Sequence, residues 1–387
     1  MSYERAKEIL SELVSFPTIP TTQTKDIADY VTNLLNEMGV ESVQVGNDET
    51  NQYNVYATLG PDIDGGVALS GHFDVVVADP TDWTVDPFKL DERDGKLYAR
   101  GSVDMKGFLA LTLSQFEELA KRKDKLKKPL HIAFTYDEEF GSFGAKVLSK
   151  HIDQLEKKPA IMIVGEPTEM KPIISHKAGF EMETIIKGHA CHSSVPRNGV
   201  NAIVYASKLI EYMEQLNKEF ASNPHEGSPF DPPYTTMNVG HIKGGEASNV
   251  LAAECRFDWE FRPMPDDDGH AILQRVKDYA ANVLEPEMQK TFPDTGIEFI
   301  VHADVLPLKI EEKSSALELV SNLWGANDSD VVAFGTDAGY FQQCGISTVV
   351  FGPGSITQAH KPDEYISVAD FKQGVDFMNS LGEWACS

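Results

Sequence analysis

The chain has 387 residues, which is enough for two domains with sizeable cores. Its 60 acidic and 34 basic residues give a formal net charge of −26, which argues against nucleic acid and anionic membranes as partners because phosphate groups need basic patches. We expect no membrane span and no signal peptide, since no apolar run is long enough and the first residues lack an apolar core.

Alternating helices and buried strands predict an α/β domain in the first part of the chain. Apolar residues recur at helical spacing in two early segments, and short apolar, β-prone runs follow them. Gly39 supplies a stop for the second helix. In chain order we predict helices at 2–14 and about 22–38, strands around Val43, around Val55 and at 67–70, a helix opening at Asp104, and strands at 130–136 and 160–164.

The pattern changes after Gly179 and predicts a smaller inserted domain. Strands at 180–187, 235–242, 251–261 and 297–303 alternate with helices at 200–216 and 267–283 in the order β-α-β-β-α-β. This order is typical of a two-layer α+β domain with an antiparallel sheet. The α/β pattern resumes with a helix at 314–324, a strand at 347–351 and a helix at about 368–384. We therefore predict an α/β/α catalytic domain at 1–178 and 305–387, interrupted by an α+β domain at 179–304.

Acidic or imidazole side chains follow three of the predicted strands. His72 and Asp74 follow the strand at 67–70, Glu138 and Glu139 follow that at 130–136, and Glu166 follows that at 160–164. Open α/β sheets place their ligand sites at the carboxyl ends of strands, so we expect one site along this edge. Side chains two residues apart on a strand point to the same side. A histidine with a carboxylate at that spacing is typical of a metal ligand whose ring is held by a carboxylate partner.

The candidate metal ligands are His72, Asp104, Glu139, Glu166 and His360. Imidazoles and carboxylates without thiolates suit zinc, with cobalt or manganese as substitutes. Five ligands exceed the need of one catalytic zinc and fit two ions roughly 3.5–4 Å apart with a bridging carboxylate. Any one of these residues alone is better explained as a solvated side chain. Five of them at strand ends or in glycine-rich loops of one domain are not.

Glu138 and Glu139 are adjacent, so their side chains diverge. We predict that one of them ligates a metal ion while the other accepts a proton from the attacking water. The alternative, an acidic turn in solvent, is weaker because Phe134 and Tyr136 lead in from a core strand.

The sequence resembles the acetylornithine deacetylase family, part of a wider group of two-zinc amidohydrolases with succinyl-diaminopimelate desuccinylase, aminoacylase and carboxypeptidase G. The resemblance covers nearly the whole chain in order. It rests on the runs SGHFDVV, DWTVDPF, GKLYARGSVDMKG, YDEEFGSFGA, VGEPTEM, KGHACHSSVPRNGVNA, ECRFDWEFRP and GPGSITQAHKPDEYI.

The resemblance implies a role for each matching position in the catalytic domain. Asp104 would bridge two zinc ions, with His72 and Glu166 on one and Glu139 and His360 on the other. It also implies that Asp74 orients His72, that Glu138 is the general base, and that the Asp104–Met105 peptide is cis.

In the inserted domain, which relatives use as a lid and dimer contact, His192 would polarise the scissile carbonyl. Arg262 would hold the α-carboxylate of the substrate, as a planar guanidinium can do through two parallel hydrogen bonds. Asn249, Gly335 and Thr336 match positions that line the substrate pocket. Read without the family, His192 is a hydroxyl-bonded loop residue and Arg262 a surface charge.

The sequence departs from the family pattern at three positions, of which Ser142 and Cys191 bear on the substrate. Val77 stands in place of a proline that many relatives have, Cys191 in place of the usual alanine, and Ser142 in place of the cysteine of typical acetylornithine deacetylases. Each leaves the catalytic groups intact.

The expected function is zinc-dependent removal of an acyl group from an amino acid, with N-acetyl-L-ornithine as the leading small-molecule substrate in arginine biosynthesis. The alternatives are a related N-acyl amino acid deacylase, a desuccinylase or a dipeptidase, and, from another class, a metal-binding protein without catalysis. We expect a homodimer. The four cysteines are far apart and form no C-x-x-C pair, which favours a reducing, cytoplasmic compartment.

Overall fold

The protein is described by a computed structural model that covers residues 1–20 and 22–387. The described residues form two compact units. The first contains Met1–Ser175, Leu308–Val331 and Thr336–Ser387, and the second contains His176–Pro307 and Val332–Gly335. Among the described residues, none of the helices combines the length and apolarity needed to cross a membrane.

The first unit contains most of the regular elements. Its helices are α1 (Tyr3–Val14), α2 (Lys25–Glu37), α3 (Lys106–Ala120), α4 (Phe143–Asp153), α8 (Ser315–Trp324), α9 (Ala338–Gln343) and α10 (Val368–Cys386). Its strands are β1 (Ser42–Asn47), β2 (Gln52–Leu59), β3 (Val67–His72), β4 (Asp91–Arg93), β5 (Lys96–Tyr98), β6 (Leu130–Thr135), β7 (Ile161–Val164), β8 (Ile173–His176), β13 (Asp330–Val332), β14 (Ser347–Val350) and β15 (Tyr365–Ser367). His176 and Val332, the end residues of β8 and β13, are assigned to the second unit.

A mixed sheet dominates this unit. Within the described residues its strand order is β1-β2-β6-β3-β7-β14-β8-β13. The central strands β6, β3, β7 and β14 run parallel, whereas at one side β2 pairs antiparallel with β6 and β1 pairs antiparallel with β2. Every residue of β3, β6 and β7 is buried, as expected of parallel strands covered on both faces. A small separate sheet has the order β15-β5-β4.

The second unit is a two-layer α+β structure. It contains β9 (Gly179–Lys187), α5 (Ala202–Ser222), β10 (Thr236–Gly244), β11 (Glu254–Arg262), α6 (Gly269–Tyr279), α7 (Glu285–Thr291) and β12 (Gly296–Val305). The antiparallel sheet has the order β10-β11-β9-β12. Alternate residues of β11, among them Phe257, Trp259 and Phe261, are buried in the core of this unit. The predicted fold class and β-α-β-β-α-β order are confirmed.

Some predictions of local structure were incomplete. Helix α3 begins at Lys106 rather than at Asp104, and the segment predicted as one helix at 267–283 is α6 followed by a π-helical turn, Ala280–Leu284. The strands β4, β5, β8, β13 and β15, each three or four residues long, were not predicted. Helices α4, α7 and α9 were missed as well.

Candidate metal centre

The site lies where three adjacent parallel strands end. Strand β3 pairs with β6 on one side and with β7 on the other. His72 is the last residue of β3, Glu138 and Glu139 follow β6 closely, and Glu166 follows β7 by two residues. Because the carboxyl ends of parallel strands meet at one edge, all four side chains reach the same place.

Two glycines allow helix α3 to pack against these strand ends. A Cβ on Gly71, next to His72, would lie 2.6 Å from the side chain of Met105 and 2.7 Å from that of Leu109. A Cβ on Gly165, next to Glu166, would lie 2.1 Å from the ring of Phe108. The absence of side chains at these positions therefore lets Met105 and the start of α3, which follow Asp104, come close to both candidate ligands.

Asp104 lies between the two histidines. Its Oδ1 is 3.2 Å from Nε2 of His72, and its Oδ2 is 3.2 Å from Nε2 of His360. The Asp104–Met105 peptide is cis, which confirms the expectation from the family resemblance. A carboxylate that turns one oxygen to each imidazole has the arrangement needed to bridge two cations.

The remaining candidates complete two groups of donor atoms. His72, Asp104 and Glu139 place one donor atom each within 4.8 Å of one another, and so do His72, Glu138 and Glu166. His360 lies in a loop with φ of 61°, and its Nε2 is 3.0 Å from Oε2 of Glu139. The predicted ligands His72, Asp104, Glu139, Glu166 and His360 thus come together with Glu138 in one unit.

Asp74 contacts both sides of the site. Nδ1 of His72 lies 2.9 Å from the main-chain oxygen of Asp74 and 3.7 Å from its carboxylate. The carboxylate instead accepts the backbone N–H groups of Glu138, at 3.1 Å, and Glu139, at 3.0 Å. With no exposed side-chain surface, Asp74 holds the backbone that carries both glutamates.

Burial and crowding perturb the ionisation of the acidic groups. Burial raises the pKa of Glu138 and of Glu166 well above the usual range, and repulsion from neighbouring carboxylates adds to the rise. Burial also opposes ionisation of Asp104, but its hydrogen bonds with His360 and His72 outweigh this and lower its pKa.

The pKa values of the two histidines are raised as well, by attraction to the neighbouring carboxylates. Hydrogen bonds with Asp104 and Glu139 raise the pKa of His360 to about 10. Burial by itself lowers the pKa of His72, but the bond with Asp104 and the charges of Asp74 and Glu166 raise it well above normal. The protons on these two imidazole rings thus balance part of the negative charge of the neighbouring carboxylates.

The donor set fits divalent cations. Oε1 of Glu166 is buried, and within the described residues it has no hydrogen-bond partner, although it lies 3.8 Å from Nε2 of His72. A buried carboxylate oxygen is costly unless it meets a proton or a cation. Imidazole nitrogens and carboxylate oxygens without sulfur are the donors that zinc, cobalt and manganese accept.

Most of the predicted substrate-binding residues belong to the second unit. Nδ1 of His192 is 2.7 Å from Oγ of Ser194 and accepts the backbone N–H of Ser194 at 3.2 Å. Arg262 donates to Oε2 of Glu260 at 2.5 Å, and a Cβ on Gly179 would lie 3.0 Å from Nη1 of Arg262. Asn249 is exposed, and Gly335 is the last residue of this unit.

Thr336 belongs to the first unit, is buried, and accepts the backbone N–H of Ala338.

Four buried charged residues near the candidate metal ligands were not identified from the sequence. Asp337 accepts the hydroxyl of Thr135 at 2.6 Å, and burial raises its pKa to about 6. Lys106 donates to the main-chain oxygen of Phe16, and burial lowers its pKa to about 7. Glu364 pairs with Arg100. Their only sequence signal is a charge inside an otherwise buried motif.

The sequence profile of peptidase family M20/M25/M40 matches residues 68–383. The acetylornithine deacetylase of Shigella sonnei is 35% identical over 372 residues, which cover 94% of each chain. The fold is similar to that of an M20-family metallo-carboxypeptidase from Sulfolobus solfataricus, with a TM-score of 0.75 and 18% identity over 100% of both chains. It is also similar to a dinuclear metal-binding peptidase of the M20 family from Bacillus subtilis, with a TM-score of 0.63 and 16% identity over 98% of this chain and 97% of that one.

Proposed function

The chain belongs to peptidase family M20/M25/M40, and from this premise we propose that it is a two-zinc amidohydrolase that removes the acetyl group from N-acetyl-L-ornithine. Metal-dependent hydrolysis of N-acyl amino acids or peptides follows from the family and from the 35% identity to an acetylornithine deacetylase. The identity of the metal, the number of ions and the substrate are the proposed part.

The observation that carries the two-ion proposal is the position of Asp104. Its two carboxylate oxygens face different histidines, each at 3.2 Å. In this arrangement His72 and Glu166 would hold one ion, Glu139 and His360 the other, and Asp104 both. When bound, such ions supply Lewis acidity that activates a water molecule and polarises an amide carbonyl.

Glu138 is the proposed general base. Its carboxylate lies beside His72 and Glu166, and its backbone is held by Asp74. In this role Glu138 accepts a proton from the attacking water and then delivers it to the nitrogen of the leaving amine. Raising the pKa of a carboxyl by burial favours such two-way proton transfer near neutral pH.

His192 and Arg262 are proposed to recognise the substrate. Because Nδ1 of His192 accepts a backbone N–H, the neutral ring carries its proton on Nε2, which can then donate to the carbonyl oxygen. Arg262 would bind the α-carboxylate in place of Glu260, which occupies its guanidinium in this structure. Asn249, Gly335 and Thr336 are proposed to line the pocket.

We further propose that the second unit acts as a lid and dimer contact, and that the protein is a cytoplasmic homodimer. All four cysteines are unpaired in the structure, as expected for a reducing compartment. The proposed role in arginine biosynthesis follows from the proposed substrate.

The test is a substrate panel with the zinc-loaded protein. N-acetyl-L-ornithine, N-succinyl-diaminopimelate, other N-acetyl amino acids and dipeptides are compared by kcat/KM. The highest value for N-acetyl-L-ornithine supports the proposal. A clearly higher value for a succinylated substrate or a dipeptide would replace it with the corresponding alternative, and failure to hydrolyse any of them would reject it.

A further inference from the structure

Arg100 and Glu364 form a buried ion pair close to the candidate metal centre. Nη1 of Arg100 donates to Oε2 of Glu364 at 2.6 Å, and the side chains are only 3% and 1% exposed. Arg100 lies between β5 and α3, and Glu364 directly precedes β15. The pair therefore joins two segments that are 264 residues apart in sequence.

The second oxygen of Glu364 binds the backbone next to the proposed bridging ligand. Oε1 accepts the N–H of Val103 at 3.0 Å and that of Asp104 at 3.1 Å. The main-chain oxygen of Glu364 accepts the N–H of Ala99 at 3.2 Å. Glu364 also follows His360 by four residues, so this set of bonds ties the loop of His360 to the loop of Asp104.

Stability alone gives a poor account of this pair. Removing two charges from water is expensive, and apolar residues of similar volume are often as stable as a buried ion pair or more so. An apolar pair, however, could not accept the two N–H groups of Val103 and Asp104. Those N–H groups fix the position from which the carboxylate of Asp104 reaches both histidines.

We propose that Glu364 is a positioning residue for the metal centre, which holds the Asp104 backbone so that Asp104 can bridge two ions. Arg100 keeps Glu364 in place. The guanidinium of Arg100 packs over the ring of Trp83, with Cζ 5.2 Å from the ring centre. Its Nη2 is 3.5 Å from the main-chain oxygen of Val77. This inference rests on the proposed two-ion site and deepens it.

The test compares two double variants that both lack the ion pair. R100M/E364Q retains an oxygen that can accept the N–H groups of Val103 and Asp104, whereas R100M/E364M has a side chain of similar length without an acceptor. Zinc affinity is measured by chelator competition, and the ligand geometry by the visible absorption spectrum of the cobalt-loaded protein. We expect R100M/E364M to bind the ions about 10- to 100-fold more weakly than R100M/E364Q, with an altered cobalt spectrum.

Glu311→Gln is the matched control. Glu311 also belongs to the first unit and accepts a backbone N–H, that of Thr348, but its partners are Ser347 and Gln342 rather than the candidate ligands. We expect Glu311→Gln to leave zinc affinity and the cobalt spectrum unchanged, whatever it does to the unfolding temperature.

Equal zinc affinity and identical cobalt spectra in the two double variants would overturn the inference. If R100M/E364M does not fold, Glu364→Asp replaces it, because the shorter side chain keeps the charge but withdraws the acceptor, and unchanged affinity there is equally decisive against the inference. Wild-type protein that takes up no zinc or cobalt would reject the metal centre itself together with the inference.

Discussion

The carboxylate of Asp74 accepts the backbone N–H of Glu138, so a residue that follows β3 fixes the backbone of the proposed base that follows β6. The other oxygen of Asp74 accepts the N–H of Glu139, the neighbouring candidate metal ligand. His72 contacts the same residue through its main-chain oxygen. Asp74 therefore sets the relative positions of the proposed base and of two candidate ligands that follow different strands.

Asp74→Asn should lower kcat by about 10- to 100-fold. Changes to residues that hydrogen-bond to metal ligands typically have effects of this size. Asparagine has one acceptor oxygen, and its NH₂ group would face a backbone N–H without bonding to it. Because the main-chain contact with His72 remains, zinc content should change much less than kcat. Steady-state kinetics and elemental analysis check this, and a loss of zinc that accounts for the whole loss of kcat would contradict it.

Glu138→Gln should keep its zinc and lose turnover. The amide cannot accept a proton, and general base catalysis typically contributes about 10²- to 10⁴-fold. The measurement is kcat at full metal occupancy, with occupancy established by elemental analysis. Near-normal kcat in the fully loaded variant would show that another group accepts the proton.

Arg262→Ala should weaken hydrolysis of substrates with a free α-carboxylate, while amidated analogues lose little. Truncating one partner of a desolvated charge pair commonly costs about 2–5 kcal/mol. Arg256→Ala is a matched control, because Arg256 lies on the same strand and pairs with Glu254 as Arg262 pairs with Glu260. If both substrate types suffer equally from Arg262→Ala, the arginine is structural.

Raising the pH should destabilise the metal-free protein but strengthen the binding of zinc. In the metal-free protein the pKa of His360 is raised from 6.5 to about 10, so its contribution to stability is complete below about pH 6.5 and is lost as the pH rises through 10. Zinc must displace that proton, so zinc affinity should increase with pH across the same range and activity should fall in mild acid.

Thermal unfolding between pH 6 and pH 10, with and without a chelator, measures both responses. His360→Gln should flatten the change in the chelated protein. A chelated wild-type protein that became more stable towards pH 10 would contradict the sign. If zinc occupancy stays full in mild acid while activity is lost, the loss of activity is due to protonation of Glu138 or of the attacking water instead.

His192 is predicted to act across a two-fold dimer, completing the site of the partner subunit. His192→Ala and Glu138→Ala are each expected to be inactive, and the two are unfolded and refolded together. A mixed dimer would then have one site with both residues intact and one with neither. Random pairing should restore about a quarter of wild-type activity. If mixed dimers form without recovery, His192 acts within its own subunit.

The sequence by itself determined the order of the strands that precede the candidate ligands, the β-α-β-β-α-β order of the inserted domain, and the identity of the candidate ligands. Apolar runs such as those of β3 and β6 are local signals, and His72, Glu138 and Glu166 follow such runs directly. The recognisable motifs then assigned roles to residues as distant as His360. Both kinds of information are readable along the chain, since neither depends on which strand lies beside which.

Only the tertiary structure decided which groups meet and through which atoms. The order β6-β3-β7 brings the three strand ends together, and Gly71 and Gly165 show why α3 can deliver Asp104 to them. Local sequence patterns do not indicate that the carboxylate of Asp74 binds backbone N–H groups. Nor do they indicate that Arg100 pairs with Glu364, which lies 264 residues away in sequence. A hydrogen bond to a backbone group depends on position in space and not on the identity of the residue that donates, so the sequence carries no record of it.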